Sequence, residues 1–378
     1  MSRMSCFTQQ MQSMWWGNNE MSDKKNSNIL SIISSIWHKY SFIFVFIAIL
    51  IMYAITIQNN GNTFNGGHIS SILSSQNTVI VGTMALGMAL VIITGQIDLS
   101  VGSALVLTSG VTVIIFNITN SILLTLIAAL AAGIFCGAIN GLLVAYAKMP
   151  PFIVTLGTML IYRSISLYFV REIPPEITGS SSSQFAMVSN NSQYDFLRMK
   201  FGTGSLRIGG FAIPYITFLF IAILILLLIV SKNTKYGKSV YAVGSNEKST
   251  HLAGVNVNRV KFSVFVVTGL LVGFASFIQA CKIGNITPSS SGTSYEMYAI
   301  AAVVLGGVSM SGGRGNLLGV LFGSLSYTTI NFIIVSIPSL SADIQNTFQG
   351  MVLIMVILVQ TVGPAVKERF VHIKNTSE

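Results

Sequence analysis

The stretch NTVIVGTMALGMALVIITGQIDLSVGSALVLTSGVTVIIFN, residues 77–117, decides how this chain folds. Two apolar runs, Asn77–Gly95 and Val101–Asn117, flank the short turn GQIDLSVG at 95–102. Neither run has a polar face. A helix that is apolar all round is buried or lies in a membrane, and a span needs about 20 such residues. Asp98 is the one charge in the stretch. Between Lys39 and Arg163 the only other charged side chain is Lys148.

Composition agrees. Of 378 residues, 52% are hydrophobic and 8% charged, with a mean hydropathy of +0.72. Soluble domains carry about 25% charged residues. The short alternating segments of a barrel are absent. The class is all-α: a polytopic transmembrane helical protein. A net charge of +10 would suggest nucleic acid in a soluble chain, but here basic loops held on the cytoplasmic side account for it. Cys6, Cys136 and Cys281 have neither disulfide nor metal spacing.

Residues 1–40 read as a polar cytoplasmic tail without a signal-peptide core. Met21 is a second candidate start, since nothing upstream reads as structure. The membrane domain is 41–366 and the C-terminal tail 367–378. Ten helices are expected: Ser41–Ile57, Asn77–Gly95, Val101–Asn117, Ser121–Ala147, Phe152–Val170, Phe211–Val230, Val260–Ala280, Tyr295–Met310, Asn316–Ser336 and Thr347–Val366. The polar stretch 171–210 falls outside and the basic loop 231–259 inside. With the N-terminus inside, Arg171, Arg198, Lys200, Arg207 and Lys282 lie outside and Arg163 within a helix, leaving fifteen of 21 Lys and Arg inside. Both termini are therefore expected in the cytoplasm. The eighth segment is short for a span. It reads either as a discontinuous helix beside a pathway or as a tilted helix beginning near Thr293.

GQIDLSVG returns, offset by 211 residues, as GGVSMSGG at 306–313. Both read G-x-[Ile/Val]-x-[Leu/Met]-Ser-x-G, with Ser309 in place of Asp98. No catalytic constellation is evident. Gly237-Lys238-Ser239 ends like a P-loop, but Lys232 stands where a glycine is needed to bring backbone amides round a phosphate. Few ionisable groups, Asp98, Arg163 and Glu296, lie where an ion relay would need them. In NEKSTHLAGVNV (246–257), Asn246 can cap a short helix, Glu247 suits its first turn, and Gly254 its C-terminus. This is either a docking knob or an ordinary charged loop.

Four collinear blocks carry a resemblance: GQIDLSVGSALVLTSG (95–110), PPFIVTLGTMLIYR (150–163), YGKSVYAVGSNEKSTHLAGVNVNRVK (236–261) and YEMYAIAAVVLGGVSMSGGRGNLLGVLFG (295–323). The chain resembles the permease subunits of bacterial ABC importers for ribose and related sugars over roughly 40–366. The resemblance implies an inner-membrane permease that carries a monosaccharide, a pentose or hexose. It implies a second permease copy, the same or related, a cytoplasmic ATPase that uses the ATP, and a periplasmic sugar-binding protein. This chain would hold no cofactor and perform no catalysis itself. The family's Glu-Ala-Ala…Gly coupling motif lands on Glu247-Lys248-Ser249…Gly254; the glutamate and glycine match and the alanines do not, so Lys248 and His251 would help select the ATPase. Tyr298 stands where the family has an aspartate, in a block expected near the outer mouth.

The remaining candidates are weighed residue by residue. Asp98 either caps the third helix, with Ser100 able to serve the same end, or contributes to an inner gate. Ser100, Gly102, Ser309, Ser311 and Gly313 lie on the same turns, where small residues allow close packing. Asn140, Gln279, Glu296 and Asn331 are candidate pathway lining, or else interhelical hydrogen bonds. The alternative function is an ion-coupled carrier or passive channel for a small polar solute.

Overall fold

The computed structural model describes residues 40–337 except 76, 189–191 and 209–210, together with scattered positions between 347 and 358. In chain order the elements are α1 (Tyr40–Asn59), α2 (Gly66–Ser74), a π-helical turn (Asn77–Val81) running into α3 (Gly82–Ile93), α4 (Val101–Thr119), α5 (Ile122–Ala145) and α6 (Pro151–Glu172). Short pieces follow: α7 (Pro175–Thr178), β1 (Phe185–Ala186), α8 (Ser192–Leu197), a π-turn (Arg198–Gly202), β2 (Ser205–Ile208) and β3 (Phe211–Pro214). The rest is helical apart from β4 (Asn285–Ile286): α9 (Tyr215–Asn233), α10 (Lys235–Ser245), α11 (Glu247–Leu252), α12 (Val257–Ile283), α13 (Tyr295–Leu305) and α14 (Leu317–Val335).

Among the described residues seven helices are long and apolar enough to cross a membrane: α1, α4, α5, α6, α9, α12 and α14. The bent pair of α2 and Asn77–Ile93, 49° apart, would make an eighth if it forms one broken span and not a re-entrant loop. The expected tenth helix, Thr347–Val366, and the two tails lie almost wholly outside the described residues.

Every residue of α3 is buried, which is why its sequence shows no polar stripe. α12 and α5 pack antiparallel against each other through glycines. A Cβ on Gly133 would lie 2.2 Å from the Gly269 carbonyl, and one on Gly137 2.3 Å from that of Phe265. Glycines four apart on both helices bring the backbones this close. The outer faces of α1, α5, α6 and α9 expose Ile51, Leu123, Leu160 and Ile229 among many others, an apolar girdle that suits lipid and not water.

Two expectations are corrected. Residues 66–74, expected as a connection, form α2. Asn65 accepts from the Gly67 amide and its own amide donates to His68 Nδ1, a capping box on a short serine-rich helix whose Ile69, Ile72 and Leu73 share one face. The helix expected from Phe211 begins at Tyr215, because Phe211–Pro214 pairs with Ser205–Ile208 as a hairpin and Pro214 sits in extended conformation before it. The described residues of the polar stretch after α6 include α7, β1, α8 and β2. β1 pairs with β4, and Asn117 of α4 donates to the Ile177 and Ala186 carbonyls while accepting from the Val188 amide.

Candidate functional site

Asp98 sits 3% exposed in the connection between α3 and α4. Its Oδ1 accepts from the Ser100 amide at 2.9 Å and from Ser100 Oγ at 2.7 Å. This is an Asx turn, in which a carboxylate takes the place of a backbone carbonyl. It caps the entrance to α4. Ser100, the N-cap residue, makes no side-chain cap bond of its own, so the capping expected of it falls to Asp98 alone. Ser100 Oγ instead accepts from Asn140 Nδ2 of α5 at 2.8 Å. The chain Asn140–Ser100–Asp98 thus ties α5 to the turn. Burial pushes the Asp98 carboxyl above the ordinary carboxylate range, and the Ser100 and Asn140 bonds pull it back. Asn140 Oδ1 is buried without a hydrogen-bond partner among the described residues.

The two echoed turns meet. The Gly313 amide donates to the Ile93 carbonyl at 2.8 Å, and Gly312 packs beside Gly95. Both join at the end of α10: a Cβ on Gly244 would lie 1.7 Å from the Ile93 carbonyl oxygen and 2.7 Å from the Gly313 amide. The turns are not equivalent, however. Ser309, aligned with Asp98, is half-buried and donates its amide to the Arg314 carbonyl. Ser311 is exposed. Gly312 and Gly313 take positive φ of 81° and 70°, whereas Gly102 is helical.

Glu296 lies against the start of α4. A Cβ on Gly102 would lie 2.5 Å from Glu296 Oε2 and 2.5 Å from the Gly292 carbonyl. Glu296 therefore sits at the first turn of α4. The segment after β4 brings Gly292 and Glu296 against Gly102, while Ser289, Ser290 and Thr293 stay exposed. Arg163, mid-way along α6, holds this segment by donating to the Pro288 and Ser291 carbonyls, both at 2.6 Å, and Glu296 lies within its electrostatic reach. The eighth segment forms a helix of 11 residues, Tyr295–Leu305, shorter than the expected Tyr295–Met310. Tyr298 stacks on Tyr327 of α14, ring centroids 5.1 Å apart.

On the basic face, α11 forms where the capping residues predict it. Asn246 accepts from the Ser249 amide at 2.9 Å, and Gly254 has φ +83°. Of α11 only Thr250 is buried; Glu247, Lys248 and His251 are exposed, and Leu252 is 89% exposed. Glu247 is held by Lys261 Nζ at 2.8 Å.

The chain matches the family described as "Branched-chain amino acid transport system / permease component" over residues 69–357. It is 34% identical over 313 residues to the ribose import permease protein RbsC of Escherichia coli K12, covering 83% of this chain and 91% of that one. It is 32% identical over 301 residues to the galactose/methyl galactoside import permease protein MglC of the same strain, covering 76% and 84%. It is 36% identical over 281 residues to the fructose import permease protein FrcC of Rhizobium meliloti, covering 74% of each. The chain belongs to this permease family. It is a ribose-type ABC permease of the bacterial inner membrane, a transport subunit and not an enzyme. No solved structure matches it.

Within the permease the candidate residues fall into separate groups. Asp98, Ser100 and Asn140 form one hydrogen-bonded chain, and Gly102 with Glu296 borders it. Ser309, Ser311 and Gly313 stand on the partner turn. Gln279 is buried in α12, its Oε1 without a partner among the described residues, and Asn331 is half-buried in α14. One residue, Gly244, was missed. Gly244 had a signal, since Tyr236, Val240 and Val243 have helical spacing and make α10 a helix with its end at the turns. Arg163 was noted as mid-helix, but nothing local tells which carbonyls it reaches. Gly237-Lys238-Ser239 lies inside α10 with Gly237 buried, so it is no phosphate loop.

Proposed function

We propose that this permease is the membrane subunit of a binding-protein-dependent importer for a monosaccharide, a ribose-like pentose or a hexose, driven by ATP hydrolysis on a separate subunit. The family description names branched-chain amino acids, but the ribose, galactose and fructose in the relatives' names favour a sugar. The basic face carrying α10 and α11 is cytoplasmic by the distribution of Lys and Arg. Two copies, or one copy and a related permease, flank the pathway. The ATPase meets α11, and the binding protein meets the segment between α6 and α9 on the opposite face.

One observation carries the mechanism. The exposed knob α11 follows α10 through the single residue Asn246, and the end of α10 touches both echoed turns. A push on α11 is therefore delivered where α3 leaves for α4 and α13 leaves for α14. Alternating access then consists of parting and rejoining these turns, with the short helix α13 and the Asp98 turn beside the pathway.

The test separates docking from local structure at Glu247. In the Glu247→Lys/Lys261→Glu exchange the ion pair is kept and its polarity reversed. In proteoliposomes with the ATPase and binding protein, we expect the exchange to fold as wild type while uptake falls at least about tenfold, the effect of losing about 1.4 kcal/mol of docking. Wild-type uptake by the exchange would remove Glu247 from the coupling surface.

A further inference from the structure

A cleft of about 380 Å³ opens on the flank of the molecule between α9 and α12. Ile223 and Leu227 line one wall, Leu271 and Phe274 the other, and Leu90 of α3 the floor. Its rim residues Leu226 and Leu270 are exposed, so it opens sideways within the apolar girdle. Toward the basic face it ends at Ser231, Tyr236 and Gly237. The polar groups there are already engaged. Tyr236 OH accepts from Ser263 Oγ, Tyr241 OH donates to the Gly315 carbonyl, and Ser231 Oγ donates to the Leu228 carbonyl. The cleft therefore offers a sugar nothing to bond and offers an alkyl chain a complete apolar lining.

Its basic end is charged. Lys232 adjoins Ser231, and Lys235 and Lys238 flank Tyr236 and Gly237; all three lysines are exposed. Among the described residues the one ion pair is Lys261 with Glu247, so these three have no acidic partner there. Basic clusters beside a span attract anionic lipid headgroups.

We propose that the cleft binds an anionic glycerophospholipid, with one acyl chain between α9 and α12 and its phosphate on Lys232, Lys235 and Lys238. A second copy of the chain is the weaker occupant: a two-fold interface matches a patch with itself, which would turn these like charges toward each other.

Brominated lipids test this. Trp15, Trp16 and Trp37 are the three tryptophans of the chain. With each replaced by phenylalanine, the Leu226→Trp variant reports on the cleft alone. Reconstituted with dibrominated phosphatidylglycerol or phosphatidylcholine, its fluorescence should give a relative binding constant about threefold or more in favour of the anionic lipid, the size of a modest surface electrostatic preference. Lys232→Gln, Lys235→Gln and Lys238→Gln together should abolish that preference. Equal quenching by both lipids, or quenching by neither, overturns the proposal. Native mass spectrometry of the unaltered protein supplies a second reading. Phosphatidylglycerol should be retained over phosphatidylcholine and lost in the triple lysine variant; no difference between the lipids contradicts the proposal.

Discussion

Asp98 uses one oxygen to hold both the amide and the hydroxyl of Ser100, and through Ser100 it reaches Asn140. An asparagine offers the same acceptor, so Asp98→Asn should keep the fold and melt close to wild type. Asp98→Ala removes the cap and leaves the turn unsatisfied, at a cost of about 1–2 kcal/mol. Because Ser100→Ala breaks the same chain, the two alanine substitutions should be strongly non-additive in a double-mutant cycle. Additive losses of thermal stability would show that the contacts are independent. The isolation of this carboxylate was plain in the sequence, since it stands alone in a long apolar region. Its burial was not, because depth depends on α5 closing over the turn.

Among the elements, the segment between β4 and α13 departs most from a linear reading of the chain. Residues 287–294 are rich in Ser, Thr and Gly and read as a surface connection, yet Gly292 packs on Gly102 and Arg163 holds the segment. No local pattern announces this, since the anchor lies over a hundred residues away. Arg163→Met keeps the aliphatic stem but deprives two carbonyls of their donor, about 1–3 kcal/mol for each buried group left unpaired. Hydrogen exchange in 287–294 should rise and uptake fall at least about tenfold, with the ATPase still bound. Unchanged exchange there would mean that the segment holds itself. α10 was obscured for a different reason: its helical spacing lies among three lysines and read as a basic loop. The spans themselves were legible because lipid demands long apolar runs, and α11 because its caps are local.

Across the whole molecule, the sequence echo between 95–102 and 306–313 marks two turns that touch each other and the end of α10. Their residues do not play matching parts, and the resemblance is one of placement. The account ties ATP hydrolysis outside the membrane to these turns through a helix fifteen ångströms or so long. Its central claim is tested most directly by sugar uptake into proteoliposomes holding the permease, its ATPase and its binding protein. The account predicts uptake that requires hydrolysable ATP and the binding protein and is indifferent to collapse of the proton gradient. Uptake that persists without the ATPase and vanishes with the gradient would contradict it.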